Sequence, residues 1–277
     1  MTIEVPGAPY DVTVDEAGAL WFTMAEQGSV ARWTGDSIEA HTLVPATGQP
    51  TVIVAAPDDA VWFTEFRGNR IGRISADGDL SFVAGAAPYG LCLGPDDSLW
   101  WTELQSGHLG SLSADGIVTR YPVEGTPSAI TTGPDGALWF TLNQANAIGR
   151  STTDGTITIY PLPTEQANPV GITTGPDGAL WFVEIGAGQV GRITVDGAIE
   201  EFPLPDRTAR PHAIITGTDG ALWFTQWANS RLGRITTTGQ ITELELPGTE
   251  PHGLTVDLDG AIWVAMESGT LVCVEPI

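Results

Sequence analysis

The sequence predicts an all-β fold, a seven-bladed β-propeller with four antiparallel strands in each blade. A motif similar to Ala-Leu-Trp-Phe-Thr recurs seven times along the 277 residues, with 38 to 42 residues between successive tryptophans: Trp21, Trp62, Trp100, Trp139, Trp181, Trp223 and Trp263. A repeat of this length is one supersecondary unit copied around a ring or along an array. No stretch has helical periodicity, and four short β-rich segments per repeat are typical of a propeller blade.

The best-preserved repeat, residues 169–205, predicts how one blade is built. Its four segments are rich in Ile, Thr, Trp and Phe, which favour strands. Gly-Pro-Asp-Gly at 175–178 joins the first two, because proline fixes φ and glycine supplies a positive φ. A looser connection follows at 184–188, and Val-Asp-Gly at 195–197 indicates a second hairpin. We expect the tryptophans to pack between blades, and hydrogen bonds between blades from the recurring arginines Arg73, Arg150, Arg192 and Arg234.

The two ends of the chain predict that the ring is closed. The last repeat reaches Ile277 with only three strand segments, whereas residues 1–5 resemble an outer strand such as 242–245. We therefore expect Thr2–Val5 to supply the fourth strand of the last blade. This pairing would close the ring, remove its free sheet edges and make residues 1–277 one domain. A linear β-solenoid is the alternative, but solenoid repeats are shorter and need capping units.

Composition excludes several classes of function. The net charge is −23 and all eleven basic residues are arginine, so nucleic acid and anionic membrane are poor partners. The absence of lysine excludes Schiff-base chemistry. Neither a run of about 20 apolar residues nor a signal-like N-terminus is present, which predicts a cytoplasmic protein. Because a closed propeller needs no partner for stability, we expect a monomer.

The repeats differ where each innermost strand begins, at an X-Pro-Z sequence. In a propeller this strand lines the central channel, and its first residues face one mouth. Five of the seven Z residues are neutral and two neighbouring ones are histidines: Tyr10, Thr51, Tyr89, Ser128, Val170, His212 and His252. A purely structural ring has little reason for that asymmetry, so this mouth is the predicted functional site.

The last repeat adds two carboxylates to this mouth. Glu250 and His252 are two residues apart on a predicted extended strand, so their side chains should point to the same side. A register centred on the turn at 257–260 sets Glu250 opposite Glu267, to within one residue. Two carboxylates suit Mg²⁺, and an adjacent imidazole can serve as a general base. The alternative is that these side chains are solvated and idle at a polar channel mouth.

Four C-terminal segments carry a family resemblance. Residues 210–213, 223–229, 250–253 and 263–267 resemble the signature of the virginiamycin B lyase (streptogramin B lyase) family, and the repeat unit is similar over nearly the whole chain. The resemblance implies a seven-bladed propeller that confers antibiotic resistance. Its implied activity is that of a Mg²⁺-dependent carbon–oxygen lyase, which opens cyclic streptogramin B depsipeptides by elimination at the threonine ester.

The resemblance also implies roles for individual residues. His252 resembles the base that removes the threonine α-proton, and Glu250 and Glu267 resemble the Mg²⁺ ligands. His212 resembles a substrate-binding histidine. By position, further substrate-packing candidates are Tyr10, Tyr89 and Trp227. This sequence departs from the family pattern at Gln226, where glutamate is usual, at Val264, where phenylalanine is usual, and in a shorter segment after Glu267.

Two other functions fit a propeller. A metal-dependent lactonase would need acidic and amide ligands from several blades around the channel, which Thr51, Ser128 and Val170 do not supply. A non-catalytic propeller that binds ligands or proteins on one face would show no dependence on a metal.

Overall fold

The computed structural model describes residues 1–275 as seven four-stranded antiparallel sheets, so the predicted propeller is confirmed. The last two residues of the predicted domain, 276 and 277, lie outside the described residues. One 3₁₀ turn occurs at Ala46–Gly48. No helix in the described part of the chain is long and apolar enough to cross a membrane.

In blades 1 to 6 the strands follow one another in chain order from the channel outwards, whereas in blade 7 the N-terminal strand is outermost. Blades 1 to 3 contain β2 Pro9–Val14, β3 Leu20–Met24, β4 Ser29–Trp33, β5 Ile38–Thr42, β6 Pro50–Ala55, β7 Val61–Glu65, β8 Arg70–Ile74, β9 Leu80–Ala84, β10 Pro88–Leu93, β11 Leu99–Glu103, β12 His108–Leu112 and β13 Val118–Pro122. Blades 4 and 5 contain β14 Pro127–Thr132, β15 Leu138–Leu142, β16 Ala147–Ser151, β17 Ile157–Pro161, β18 Pro169–Thr174, β19 Leu180–Glu184, β20 Gln189–Ile193 and β21 Ile199–Pro203. Blades 6 and 7 contain β22 Pro211–Thr216, β23 Ala221–Gln226, β24 Arg231–Thr236, β25 Ile241–Glu245, β26 Pro251–Val256, β27 Ile262–Met266, β28 Thr270–Val274 and, from the N-terminus, β1 Thr2–Glu4.

The N-terminal strand closes the ring, as predicted. β1 pairs antiparallel with β28, with Thr2 opposite Val272 and Glu4 opposite Thr270. The Val5 N–H donates to the Gly269 carbonyl at 3.0 Å, which extends the pairing by one residue. The inner strands β2 and β26 are therefore neighbours, and residues from the two ends of the chain share one part of the channel wall. This contact between β2 and β26 excludes the linear solenoid.

The tryptophans pack between blades, as expected. Trp139 of blade 4 is fully buried against Leu180 and Phe182 of blade 5. Trp181 of blade 5 packs in the same way against blade 6. Burying a large apolar side chain contributes about 1.5–3 kcal/mol, so this repeated contact is a main source of cohesion between blades.

The recurring arginines bond within their own blades, so the prediction that they join neighbouring blades is wrong. Asp177 accepts hydrogen bonds from Trp181 Nε1 at 3.0 Å and Arg192 Nε at 2.7 Å. The strand register causes this, because Trp181 stands opposite Arg192 and both face the turn that carries the aspartate. Arg150 and Arg234 bond Asp135 and Asp219 in the same way, and Arg73 pairs with Asp58.

Each blade thus has two distinct ends. The turn end is where the two innermost strands are joined, as at residues 175–178 of blade 5. The mouth end is where the innermost strand begins at its proline and the second strand finishes. At the turn end, burial opposes ionisation, but hydrogen bonds from Trp181 and Arg192 hold the pKa of Asp177 below its usual value.

Candidate active site at the channel mouth

A backbone hydrogen bond organises the mouth end of blade 7. The Glu267 N–H donates to the Glu250 carbonyl at 3.1 Å, so the two glutamates stand opposite one another, as the predicted register requires. The premise of an extended strand at Glu250 is wrong, because β26 begins only at Pro251 and Glu250 has a φ of 57° in the left-handed region. The tight turn into the proline is a feature of this end of the blades. Similar positive φ values occur before the prolines of four other blades, at Gln49, Ala87, Asn168 and Arg210.

Aromatic rings from three consecutive blades meet beside these glutamates. Tyr10 of blade 1 stacks on His252 of blade 7, with ring centroids 4.5 Å apart and planes inclined by 29°. His212 of blade 6 contacts His252 edge-on at 4.5 Å. The Tyr10 hydroxyl also lies 2.8 Å from that of Tyr89 in blade 3. Four of the sequence-predicted site residues therefore form one contiguous cluster.

His252 links this ring cluster to the carboxylates. Its Nε2 lies 3.2 Å from Glu267 Oε1, and this hydrogen bond is the main reason why the pKa of Glu267 is lowered. The Nδ1 atom of His252 is buried without a hydrogen-bond partner. The backbone is held separately, because the Thr225 hydroxyl donates to the His252 carbonyl at 2.8 Å. The contact between Nε2 and Glu267 is thus the polar contact of the imidazole that a substrate or metal could replace.

Burial determines the charge state of His212. Burial, and secondarily the adjacent His252, lower the pKa of His212 to about 3. The ring is therefore neutral near pH 7, where it can donate or accept one hydrogen bond but supplies no positive charge. Its Nδ1, like that of His252, is buried without a hydrogen-bond partner.

Glu250 and Glu267 are the two carboxylates at the mouth that could hold a metal ion. No group of three or more His, Cys, Asp or Glu side chains within residues 1–275 is arranged to hold a metal ion. Two opposed carboxylates fit a Mg²⁺ ion, which commonly keeps several waters and takes its remaining ligands from substrate oxygens. They would not by themselves form a complete structural site for Zn²⁺.

Trp227 lies at the mouth end of blade 6, outside the ring cluster. It directly follows β23, the position that Glu267 holds after β27 in blade 7. The guanidinium of Arg210 lies 5.8 Å from its ring centroid. The indole is half-buried, and its Nε1 is buried without a partner. Trp227 therefore belongs to the same mouth, one blade away from the glutamates.

Asp11 is a functional candidate that the sequence reasoning missed. It lines a channel cavity of about 170 Å³, together with Tyr10, Tyr89 and His212. Burial raises the pKa of Asp11 to about 7, against hydrogen bonds from the Val12 and Ile53 N–H groups and the nearby His252. A signal was present, since the corresponding position in the other blades is always small or aliphatic: Val52, Gly90, Ala129, Gly171, Ala213 and Gly253.

Comparison with known proteins places the chain in a family. The sequence model of the virginiamycin B lyase family matches residues 2–274. The chain belongs to the virginiamycin B lyase family. A virginiamycin B lyase from Nocardia farcinica is 56% identical over 128 residues, which are 46% of this chain and 46% of that protein. The match thus spans about half the length of that curated relative.

Solved structures of the virginiamycin B lyase family extend the similarity to the whole propeller. The enzyme from Staphylococcus aureus has a TM-score of 0.96 at 38% identity, covering 100% of this chain and 99% of that one. A streptogramin B lyase structure has a TM-score of 0.93 at 37% identity, covering 99% and 98%. A catalytically inactive histidine-to-alanine variant of the S. aureus enzyme, with quinupristin, has a TM-score of 0.95 at 38% identity and covers 100% and 99%.

Proposed function

We propose that the protein is a carbon–oxygen lyase that opens cyclic streptogramin B depsipeptides by elimination at the threonine ester. The observation that carries the proposal is the contact between His252 and Glu267 at the mouth, with Tyr10 stacked on the imidazole. This arrangement unites a base, a carboxylate pair and an aromatic surface in one place. The S. aureus family member with quinupristin supports a substrate of this class.

In the proposed reaction, His252 accepts the α-proton of the threonyl residue. The electrons of that C–H bond form the new carbon–carbon double bond, and the bond from the β-carbon to the ester oxygen breaks. Its electron pair stays on the carboxylate that leaves. No water is consumed, so the linear product has the mass of the cyclic substrate. Nε2 is the nitrogen for this role because Nδ1 is buried, and it can accept a proton only after its contact with Glu267 is released.

The neighbouring side chains would orient this base and its substrate. Tyr10 restricts rotation of the His252 ring through stacking, and its own hydroxyl is held by Tyr89. Neutral His212 can donate one hydrogen bond to a substrate carbonyl from a ring N–H. Holding the base and the scissile group in one geometry is a large part of what such a site contributes.

We propose Mg²⁺ as the cofactor, with Glu250 and Glu267 as its protein ligands. When bound, the ion would stabilise negative charge on the substrate carbonyl and make the α-proton more acidic. Engagement of Glu267 with a metal would also leave His252 Nε2 free.

Product mass is the test of this proposal. Purified protein is incubated with a streptogramin B in Mg²⁺ or in EDTA, and the products are weighed by mass spectrometry. We expect a linear product of unchanged mass in Mg²⁺ and none in EDTA. A product heavier by one water would show hydrolysis and favour the lactonase, whereas no product at all would overturn the assignment.

A pair of variants tests the metal ligands separately. The double variant Glu250→Gln/Glu267→Gln should lose activity in Mg²⁺. The double variant Glu200→Gln/Glu245→Gln is the matched control, because it removes the same charge from outer-strand side chains that are 60% and 85% exposed. Equal activity of the two double variants would contradict the proposed ligands.

We also propose that the protein acts as a monomer. The ring closes within one chain, and the residues assigned to the site come from blades 1, 3, 6 and 7 of that chain. Sedimentation at micromolar concentration should give the mass of a single chain, and a dimer that loses activity on dilution would contradict this.

A further inference from the structure

Within residues 1–275, two arginine side chains have neither an ion-pair partner nor a hydrogen-bond partner. Eight of the eleven pair with carboxylates: Arg32, Arg70, Arg73, Arg120, Arg150, Arg192, Arg231 and Arg234. Arg207 donates to the Ala187 carbonyl and the Gln189 amide. Across residues 1–275, only Arg67 and Arg210 have neither a carboxylate partner nor a side-chain hydrogen bond. Both arginines are exposed, so their guanidinium groups are accessible to an anionic ligand.

Arg210 lies at the mouth end of blade 6, in the position that Glu250 occupies in blade 7. It precedes Pro211, has a φ of 51°, and its carbonyl accepts a hydrogen bond from the Trp227 N–H at 3.1 Å. Its guanidinium lies 5.8 Å from the centroid of Trp227. Stacking on an indole restrains a guanidinium and leaves its N–H donors available. Arg210 is thus restrained beside the proposed site without being neutralised.

The loop after β23 gives a second, independent sign of a ligand. Trp227 Nε1 and Asn229 Oδ1 are both buried without hydrogen-bond partners. The Asn229 amide is fixed by its nitrogen, which donates to Gln226 Oε1 at 3.0 Å and Asp206 Oδ2 at 3.3 Å. Buried polar atoms without partners are rare in folded proteins. The loop that carries both atoms meets Arg210 through Trp227, so this part of the mouth favours a polar ligand.

The proposed reaction supplies a ligand of the right charge. The substrate ester is neutral, but breaking its C–O bond leaves an electron pair on the departing oxygen and creates a carboxylate, while the α-proton moves to His252. This anion forms at a mouth that already contains Glu250 and Glu267, which repel it. A guanidinium interacts more strongly with the developing carboxylate than with the neutral ester, so it favours the transition state and product over the substrate.

We propose that Arg210, restrained by Trp227, binds the ester carboxyl group of the substrate and stabilises the carboxylate that leaves during ring opening. This inference rests on the proposed lyase function. It assigns blade 6 to the leaving group and blade 7 to the base and the metal. Its distinctive consequence is that Arg210 should matter much more for the linear acid than for the cyclic ester.

The other blades indicate a substitution of Arg210 that the backbone should tolerate, and a matched control. Gln49 has the same position in blade 2 with a φ of 53°, so Arg210→Gln introduces a side chain that this backbone geometry already holds. Arg67→Gln removes the other arginine whose side chain has no carboxylate partner. Because Arg67 is bonded through its N–H to Gly48, next to that pre-proline Gln49, it also lies at the mouth end but is two blades away from blade 7.

The decisive measurement is binding, because it does not depend on turnover. The probes are an intact streptogramin B and the linear hydroxy acid made from it by alkaline hydrolysis, each titrated by calorimetry. We expect Arg210→Gln to weaken binding of the acid by about 10- to 100-fold, as for loss of a charge-assisted hydrogen bond, and that of the intact ring by less than about threefold. Arg67→Gln should change neither, and Arg210→Lys should restore part of the affinity.

The outcomes separate this inference from the lyase assignment. Equal affinity of the wild type and Arg210→Gln for the acid would overturn the role of Arg210, whatever the activity. Selective loss of acid binding in Arg210→Gln, together with a wild type that opens no ring, would support the carboxylate site while the lyase assignment failed. In an active wild type, we expect kcat of Arg210→Gln to fall by about 10- to 100-fold. A change in KM alone would contradict stabilisation of the leaving group.

Discussion

The turn end and the mouth end of the propeller are built by the same strands but differ in how strictly their residues recur. At the turn end of blades 1, 4, 5 and 6, an aspartate accepts from the tryptophan at 2.9–3.1 Å and from the arginine at 2.6–2.8 Å. At the mouth end, the residue before the inner-strand proline varies among the blades: Ala8, Gln49, Ala87, Thr126, Asn168, Arg210 and Glu250. Recurrence at one end indicates a stabilising role, and variation at the other leaves room for a site.

Variation alone does not identify function, however. The turn end of blade 7 has Cys273 where blades 1, 2, 4, 5 and 6 have the arginine. Blade 3 has Ser111 there and uses Ser98 to accept the Trp100 N–H at 2.7 Å. Neither departure brings complementary chemistry together. At the mouth, by contrast, the departures in blades 6, 7 and 1 place two histidines, a tyrosine and a glutamate in mutual contact. A residue that differs from the repeat indicates a functional site when its neighbours supply complementary chemical groups.

The largest expected effect separates the two ends by activity. His252→Ala should lower the rate of ring opening by about 10²- to 10⁴-fold, as expected for loss of a general base, while urea unfolding changes little. Ser128→Ala is the matched control, because Ser128 has the same position in blade 4 and is also buried. Initial rates followed by mass spectrometry measure both. Comparable rates for the two variants would remove the functional distinction of blade 7.

The converse prediction concerns the turn end. Asp177→Ala leaves the Trp181 N–H and the Arg192 guanidinium without their acceptor, so the free energy of unfolding should fall by about 1–3 kcal/mol. The activity of the folded variant should stay within about twofold of the wild type. Urea titration and initial rates at low temperature test this together. Loss of activity without loss of stability would show that the two ends are not independent.

The third prediction concerns a mouth-end carboxylate outside the proposed site. Burial raises the pKa of Glu184 to about 8, and nearby Glu201 adds to the effect while Gln189 opposes it. Because this value lies above the ordinary 4.5, the folded state binds more protons than the unfolded state between about pH 4.5 and 8. Stability from this group is therefore present below pH 4.5 and lost as the pH rises towards 8.

The gain in the free energy of unfolding from Glu184→Gln should accordingly be larger at pH 8 than at pH 5, as measured by urea unfolding at both values. Blade 6 already carries Gln226 at this position, where it donates to Glu243 at 2.9 Å. Glu103→Gln in blade 3 is the control of opposite sign. Burial opposes ionisation of Glu103, but hydrogen bonds from Ser106, Trp101 and Arg120 lower its pKa, so its replacement should destabilise at pH 8. Shifts of the same sign in both variants would contradict this assignment.

The sequence predicted the fold well because its signals are local and repeated. The tryptophan spacing specified the blade, and the residues before and after each turn specified the register that sets Glu250 opposite Glu267. The assignment of the arginines to contacts between blades failed for a physical reason. Recurrence shows that a residue has a structural role, but which partner it reaches depends on side-chain direction across the strand pair, as for Trp181 and Arg192.

The site was predicted only in part, because much of it depends on ring closure. The stack of Tyr10 on His252 joins residues from the two ends of the sequence, and no local pattern encodes it. The left-handed conformation of Glu250 was missed because proline after it also suits an extended chain. Asp11 was visible as a break in a row of small residues, but its burial and raised pKa follow from its packing beside Gly253 of the last blade.

The smallest expected effect tests whether the turn-end cluster can be completed where it is missing. In blade 7, Asp257 accepts the Trp263 N–H at 2.8 Å, but Cys273 stands opposite Trp263 in place of an arginine. Cys273→Arg should place a guanidinium beside the carboxylate and near the indole ring, as Arg192 lies in blade 5. Half-exposed ion pairs and cation–π contacts each contribute little, so we expect a gain of about 0.3–1 kcal/mol in urea unfolding. Cys273→Ala is the control for loss of the thiol. A gain with unchanged activity would show that recurrence at the turn end serves stability even in the blade that carries the proposed base, whereas a change in ring-opening rate would mean that this blade transmits strain from one end to the other.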